Sequence, residues 1–400
     1  MKIILAQSNN KPTGRLYGFD SLRAMAVLFV VALHAAAPYV PTPMPGLLWV
    51  TEEPYSGTLL NGFFWGIACC IMPLFFCISG YFSYLLYERR GAQQFLSQRI
   101  HRILIPLVAA VVVILPVEVY LWALGMISHK GYPWKTLQRL NFDGDVRLQF
   151  WGLSHLWYLQ YLFLYSLLFV LFERYRPRHS LVLQTIHQLA TGKWLLLVLL
   201  VPSVLILTIQ PQAMVGFQHS GLPVPSKFLY NAIFFALGIM AAHNKKTIDI
   251  WKRYSPLLLG TGLLLLPVML FLIKQYVAEE GVLQTRLLLA TAVSLFSLLM
   301  TLGCIGIVQK QQSPSQRAVL YLAEASFFLY LVHHPLVAIL HLSLMQVAWV
   351  TELKFAVTFF SATSIGLLLY HVAVRKTWVG VFLNGRKKKP SVIQEQKIAA

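Results

Sequence analysis

An all-α bundle of transmembrane helices is the fold class that this sequence predicts, from its composition, its long apolar segments and the placement of its basic residues. Of the 400 residues, 57% are hydrophobic and 12% are charged, whereas soluble domains are about 45–50% apolar and about 25% charged. The cysteines lie inside apolar runs and lack metal-ligand spacing, so we interpret them as packing residues. The composition therefore favours a polytopic membrane protein.

The sequence has ten apolar segments that are long enough to cross a bilayer, which takes about 17–25 residues in a helix. They cover roughly residues 19–38, 61–87, 103–127, 153–173, 194–211, 227–243, 255–273, 286–308, 318–346 and 353–374. We expect one transmembrane domain at 19–374, between a cytoplasmic N-terminal segment at 1–18 and a basic cytoplasmic tail at 375–400. No internal repeat is apparent.

Basic residues orient this predicted bundle, because lysine and arginine accumulate in cytoplasmic loops. With ten spans, 24 of the 33 basic residues fall on the side that carries both termini, and eight fall on the other side. Both termini are therefore predicted to be cytoplasmic. The same bias explains the net charge of +19, so we expect the lipid bilayer, and not nucleic acid, to be the partner of these charges.

The first span contains Arg23 and His34, eleven residues apart. In an α-helix this separation turns about three full turns plus ~20° and rises about 16 Å, so both side chains lie on one face. Arg23 lies near the cytoplasmic end and His34 near the opposite end. Arg23 could extend to the headgroups and His34 could be structural, but ionisable residues inside spans are candidates for function.

Other polar residues lie in apolar surroundings in the third, fourth and ninth spans. In the ninth span the pair His333 and His334 precedes Pro335, which bends a helix. A histidine and a tryptophan open the fourth span, His155 and Trp157. Two arginines lie one helical turn apart before the third span, Arg99 and Arg102. Two acids are possible charge partners, Glu118 and Glu324. Membrane anchoring and interfacial packing are the alternatives for the arginines and the tryptophan.

The chemistry that these residues favour is acid–base catalysis by histidine. The sequence has no P-loop, no Gly-x-Ser-x-Gly turn and no zinc spacing, so we expect no metal and no bound cofactor. Arginines near the cytoplasm could hold an anionic donor while a deeper histidine deprotonates an acceptor hydroxyl. This arrangement suits acyl transfer across a membrane, and a transporter or flippase is the alternative from another class.

Five stretches of the chain resemble the membrane acyltransferases of family three, and within them the glucans biosynthesis protein C family. They are "FDSLRAMAVLFVVALH" (19–34), "FFCISGYFSYLL" (75–86), "QRIHRILIP" (98–106), "SHLWYLQYLFLYSLL" (154–168) and "SFFLYLVHHPLV" (326–337). Their order and spacing cover most of the chain. Glu324 stands where the resemblance predicts a neutral polar residue, and Tyr158 stands where phenylalanine is typical.

The resemblance implies a multi-pass enzyme of the bacterial inner membrane that takes succinyl groups from cytosolic succinyl-CoA, a co-substrate, and adds them to periplasmic glucans. It implies that His34 is the general base, that Arg23 supports the acyl or phosphate portion of the donor, and that Arg99 and Arg102 meet the coenzyme A phosphates. His155, Trp157, His333 and His334 would contact substrate. The nearest alternative activity is O-acetylation of a cell-surface polysaccharide.

Overall fold

The computed structural model describes residues 17–54, 56–140, 142, 146, 150, 152–175, 194–279, 281–311 and 316–384, and within these ranges the chain forms helices and no strand. The helices are α1 (Tyr17–Ala36), α2 (Thr58–Arg99), α3 (Ile105–Lys130), α4 (Lys135–Arg139), α5 (Trp157–Tyr175), α6 (Leu195–Ile209), α7 (Pro225–His243), α8 (Lys245–Ala278), α9 (Leu283–Val308), α10 (Arg317–Leu344), α11 (Thr351–Leu369) and α12 (Trp378–Asn384). The all-α class predicted from the sequence is confirmed.

Eight helical stretches of the described chain are long and apolar enough to cross a membrane. One of them, Thr58–Lys130, contains two of the predicted spans, and the predicted span at 194–211 is the shorter apolar helix Leu195–Ile209. Every predicted span therefore falls on a helix. The count of ten and the cytoplasmic side of the termini stay predictions, and residues 1–16 and 385–400 lie outside the described residues.

The long stretch divides at Gly91, whose φ of 72° is left-handed and interrupts α2. Glycine adopts this conformation without the penalty that a Cβ brings. The last turns of α2 therefore fold back, and Arg99 at their end donates a hydrogen bond from Nη2 to Ser83 Oγ over 3.0 Å. A five-residue π-helical segment, Ile100–Leu104, then leads into α3.

Small residues allow α2 and α7 to pack closely. A Cβ at Gly80 would lie 2.0 Å from the carbonyl oxygen of Phe235, and one at Gly238 would lie 1.9 Å from that of Cys77. Such close approach is the usual basis of helix association in lipid. Other helices carry exposed apolar side chains, with Val112 of α3 68% and Leu264 of α8 80% exposed, as expected for a lipid-facing belt.

The segment between α1 and α2 folds back over one end of the bundle. Indole nitrogens hold its backbone, Trp65 donating to Thr42 O over 3.0 Å and Trp122 to Leu48 O over 3.2 Å. A buried ion pair between Glu53 and Lys354, 2.7 Å apart, fixes the segment to α11. This segment covers the side chains that form the candidate site.

Candidate active site

Four buried or half-buried histidines meet where α1, α10 and the start of α5 converge. The ring centroid of His34 lies 5.1 Å from that of His333 and 4.6 Å from that of His334. His155 stacks on His334, with 4.8 Å between the centroids. Residues that are hundreds of positions apart in sequence thus form one cluster, which we call the histidine cluster.

Pro335 explains how His155 is held. Proline has no N–H, so the carbonyl of Leu331, four residues earlier in α10, loses its helical donor. His155 Nε2 lies 3.2 Å from that carbonyl oxygen and satisfies it. The proline within α10 therefore ties the segment just before α5 to it, since backbone groups left free inside a membrane need a partner.

Glu118 of α3 lies between two of these rings and is 4% exposed. Its carboxylate oxygens lie 3.1 Å from His155 Nδ1 and 3.1 Å from His334 Nδ1, and Ser154 donates its hydroxyl hydrogen to Oε1. A carboxylate only accepts, so a hydrogen on Nδ1 of either ring would face an acceptor at 3.1 Å. Both nitrogens of His155 face oxygen atoms.

Glu118, His155 and His334 also offer donor atoms within 4.8 Å of one another, of the types that a metal ion accepts. The contacts of 3.1 Å are direct, however, and each imidazole already faces the carboxylate. We therefore describe this set as an ion pair of Glu118 and His155 with the ring of His334 beside the same carboxylate, and we assign no metal to it.

The histidine cluster opens into a cavity of about 60 Å³, which we call the histidine cavity. Among its lining residues are His34, Glu118, Ser154, His155 and His334. Two indole rings hold the imidazoles in place. Trp49 is stacked on His34 at 5.9 Å and 11°, and Trp122 is stacked on His334 at 4.9 Å and 5°.

A second, much larger space of about 1390 Å³ lies toward the other end of α1. We call it the arginine cleft because five basic residues line it: Arg23, Arg99, Arg102, Arg375 and Lys376. Arg23 donates from Nη2 to the carbonyl of Ala323 over 3.1 Å and lies 3.7 Å from Asp20. Its side chain is 47% exposed and faces the cleft. His34, on the same helix, faces the histidine cavity.

A wall of side chains separates the two spaces, which share no lining residue. Tyr330 lines the cleft side and donates its hydroxyl hydrogen to the carbonyl of His155 over 2.6 Å. Tyr158, also on the cleft side, lies 2.8 Å from Ser79 through their hydroxyl groups. His333 is fully buried behind them and lines neither space.

The site residues predicted from the sequence divide between the two spaces. The histidine cavity is lined by His34, Glu118, His155 and His334, and the arginine cleft by Arg23, Arg99, Arg102 and Glu324. Trp157 is 1% exposed, lines neither space and donates from Nε1 to the carbonyl of Gly216 over 2.8 Å. Its task is therefore to hold the 216–219 segment, part of which lines the cavity. Glu324 is exposed in the arginine cleft, so Glu118 is the acid that meets the histidines. Arg375, predicted to belong to the tail, lines the cleft.

His341 is a site residue that the sequence reasoning missed. Its Nδ1 accepts from Trp49 Nε1 over 2.8 Å, and its Nε2 lies 3.2 Å from the carbonyl oxygen of Ala35. It thereby positions the indole that stacks on His34. The signal was present in the sequence, because seven residues separate His341 from His334 and place both on one face of α10.

The fold and the site together define a multi-pass membrane protein with a histidine site on one side of a wall and a cation-lined cleft on the other. The model of the family-three acyltransferase domain matches residues 16–377. The chain therefore belongs to this acyltransferase family, and the resemblance drawn from its motifs is confirmed.

Curated relatives that share nearly the full length of the chain are called glucans biosynthesis protein C. The protein of Salmonella heidelberg strain SL476 is 24% identical over 414 residues, which are 97% of this chain and 98% of the relative. That of Salmonella enteritidis PT4 is 25% identical over 418 residues, with the same coverage. No solved structure matches the chain significantly.

Proposed function

We propose that this acyltransferase moves a succinyl group from cytosolic succinyl-CoA to hydroxyl groups of periplasmic glucans, in a bacterial inner membrane. The observation that carries the proposal is the division of α1 between two spaces. Arg23 faces the arginine cleft and His34 faces the histidine cavity, so one helix links a site for an anionic donor with a site for acid–base chemistry.

The arginine cleft supports an anionic donor such as a coenzyme A thioester. Arg99 gives the strongest support for an anionic ligand, because its Nε atom is buried without a hydrogen-bond partner among the described residues. Its guanidinium lies 4.8 Å from the ring centroid of Phe95. A buried cation without a carboxylate is costly, and planar guanidinium groups suit phosphates and carboxylates. An anionic ligand would relieve this cost, with Arg102, Arg375 and Lys376 beside it.

The histidine cavity supports the acceptor half of the reaction. His34 is one of two partly exposed imidazoles that line it, the other being His219. A neutral imidazole can remove the proton of a hydroxyl group as that oxygen attacks the thioester carbon. The indoles of Trp49 and Trp122 fix the rings around it. A volume of about 60 Å³ suits the reacting hydroxyl and its carbon, with the rest of a glycan outside.

Succinyl as the acyl group and glucan as the acceptor follow from the resemblance and from the relatives' name. Among the residues that the structure describes, no lysine or arginine lines the histidine cavity. The second carboxylate of a succinyl group would therefore depend on the cations of the cleft, of which Arg99 is the most enclosed. Acetyl transfer would need no such partner, and this difference separates the two activities.

The test is turnover by the purified full-length protein in lipid nanodiscs. We expect coenzyme A release from succinyl-CoA that requires a glucan acceptor, together with succinylated glucan in the mass spectrum. His34→Ala should abolish release, and His371→Ala, an exposed histidine outside both spaces, is the matched control. A preference for acetyl-CoA would favour the acetylation alternative, and no thioester turnover with intact protein would refute the proposal.

A further inference from the structure

His333 occupies the wall between the two spaces. It is 0% exposed, and its ring centroid lies 5.1 Å from that of His34, which lines the histidine cavity. On its other side the ring centroid lies 6.0 Å from that of Tyr330, which lines the arginine cleft. His333 is thus next to the proposed base and next to the space proposed for the donor.

The hydrogen bonds of His333 fix which nitrogen can take a proton. Its Nδ1 lies 2.7 Å from the carbonyl oxygen of Tyr330, and since a carbonyl only accepts, Nδ1 carries the hydrogen. Nε2 is then an acceptor, and it is buried without a hydrogen-bond partner in the described part of the chain. Buried acceptors of this kind are rare and call for a reason.

The rings next to His333 differ from it because each has a carboxylate oxygen of Glu118 3.1 Å from its Nδ1. Nε2 of His155 also lies 3.2 Å from the carbonyl oxygen of Leu331. His334 faces Glu118 with Nδ1 and lines the histidine cavity. The unpartnered Nε2 of His333 therefore belongs to the ring of the cluster that lines neither space and lies beside a lining residue of each.

We propose that His333 passes the proton that His34 removes on to the sulfur of the leaving coenzyme A, an inference that rests on the proposed acyl transfer. The acceptor O–H bond breaks as its oxygen bonds to the acyl carbon, and His34 takes the proton. The C–S bond breaks as its sulfur takes up a proton, so that coenzyme A leaves as the neutral thiol. The proton passes from His34 to Nε2 of His333 and then to sulfur, so that both rings end neutral and no proton is gained or lost.

The test compares two acyl donors that differ in whether the leaving sulfur needs a proton. One is the coenzyme A thioester, and the other is the thioester of 4-nitrothiophenol with the same acyl group. The 4-nitrothiophenol leaves as an anion and needs no proton. His333→Gln keeps an N–H for the Tyr330 carbonyl but cannot relay a proton. We expect kcat/KM to fall by about 10²–10⁴ with the coenzyme A donor and by less than about tenfold with the aryl donor.

His34→Ala should lose activity equally with both donors, because the acceptor hydroxyl must be deprotonated in either case. Equal losses for His333→Gln with both donors, or no loss with either, would overturn the relay. His333→Asn repeats the test if the glutamine variant does not fold, as judged by size-exclusion chromatography. On the unaltered protein, a solvent deuterium effect on kcat should be larger with the coenzyme A donor, and an equal effect would also overturn the relay.

Failure of the proposed function has a different signature. In that case the unaltered protein would turn over neither thioester. Activity of the unaltered protein without the dependence on the leaving group would leave acyl transfer in place and remove only the role of His333.

Discussion

Glu118→Gln is the most informative single change in the histidine cluster. The carboxylate has two oxygens, and each lies 3.1 Å from an imidazole nitrogen. Glutamine has the same shape, but one of its two polar atoms is a donor, so one imidazole N–H would face an N–H. Removing one partner of a buried ion pair costs about 3–5 kcal/mol. We expect a loss of this size in the free energy of unfolding.

The assay is reversible unfolding in mixed micelles, with catalytic rate as a second readout. A double variant, Glu118→Leu with His155→Leu, removes the pair on both sides and should recover most of the stability, since replacing a buried pair by apolar residues is often neutral. The Glu118→Gln variant and the double variant should both have a lower kcat, because in each His334 loses the carboxylate that orients its Nδ1. A Glu118→Gln protein as stable as the unaltered one would refute the ion pair.

Four further predictions address other parts of the molecule. Arg99→Gln should raise the KM for the coenzyme A donor about 10–100-fold, as expected for a lost hydrogen bond to a charged group, while an unchanged KM would favour anchoring. Lys354→Met leaves Glu53 buried and unpaired and should lower the unfolding free energy by about 3–5 kcal/mol, which thermal unfolding checks. His341→Phe removes the acceptor of Trp49 Nε1 and should cost about 1–3 kcal/mol and reduce kcat, with no change in donor KM. Elemental analysis of the purified protein should find no stoichiometric zinc, and one zinc per chain would assign the histidine cluster to a metal.

The sequence was sufficient to predict the helices and the division of α1. Apolar length fixes where a chain can cross lipid, and helical geometry alone puts Arg23 and His34 on one face. The structure adds that each of the two faces a different space.

Contacts between distant segments could not be predicted in the same way. Nothing local in the sequence indicates that Glu118 meets His155 and His334, because that depends on how α3 packs against α10 and the start of α5. Trp157, which the resemblance places at the substrate, lines neither space, and its indole nitrogen donates to the backbone at Gly216.

Pro335 is the residue that links local sequence to the architecture of the site. By removing one N–H it frees the carbonyl of Leu331, which His155 then occupies, so a local break in α10 becomes a connection between helices. The two histidines before the proline are about 100° apart around the helix, which sends His334 into the cavity and His333 into the wall. One short motif therefore supplies a residue to the cavity, a residue to the wall, and the carbonyl that holds a third histidine between them.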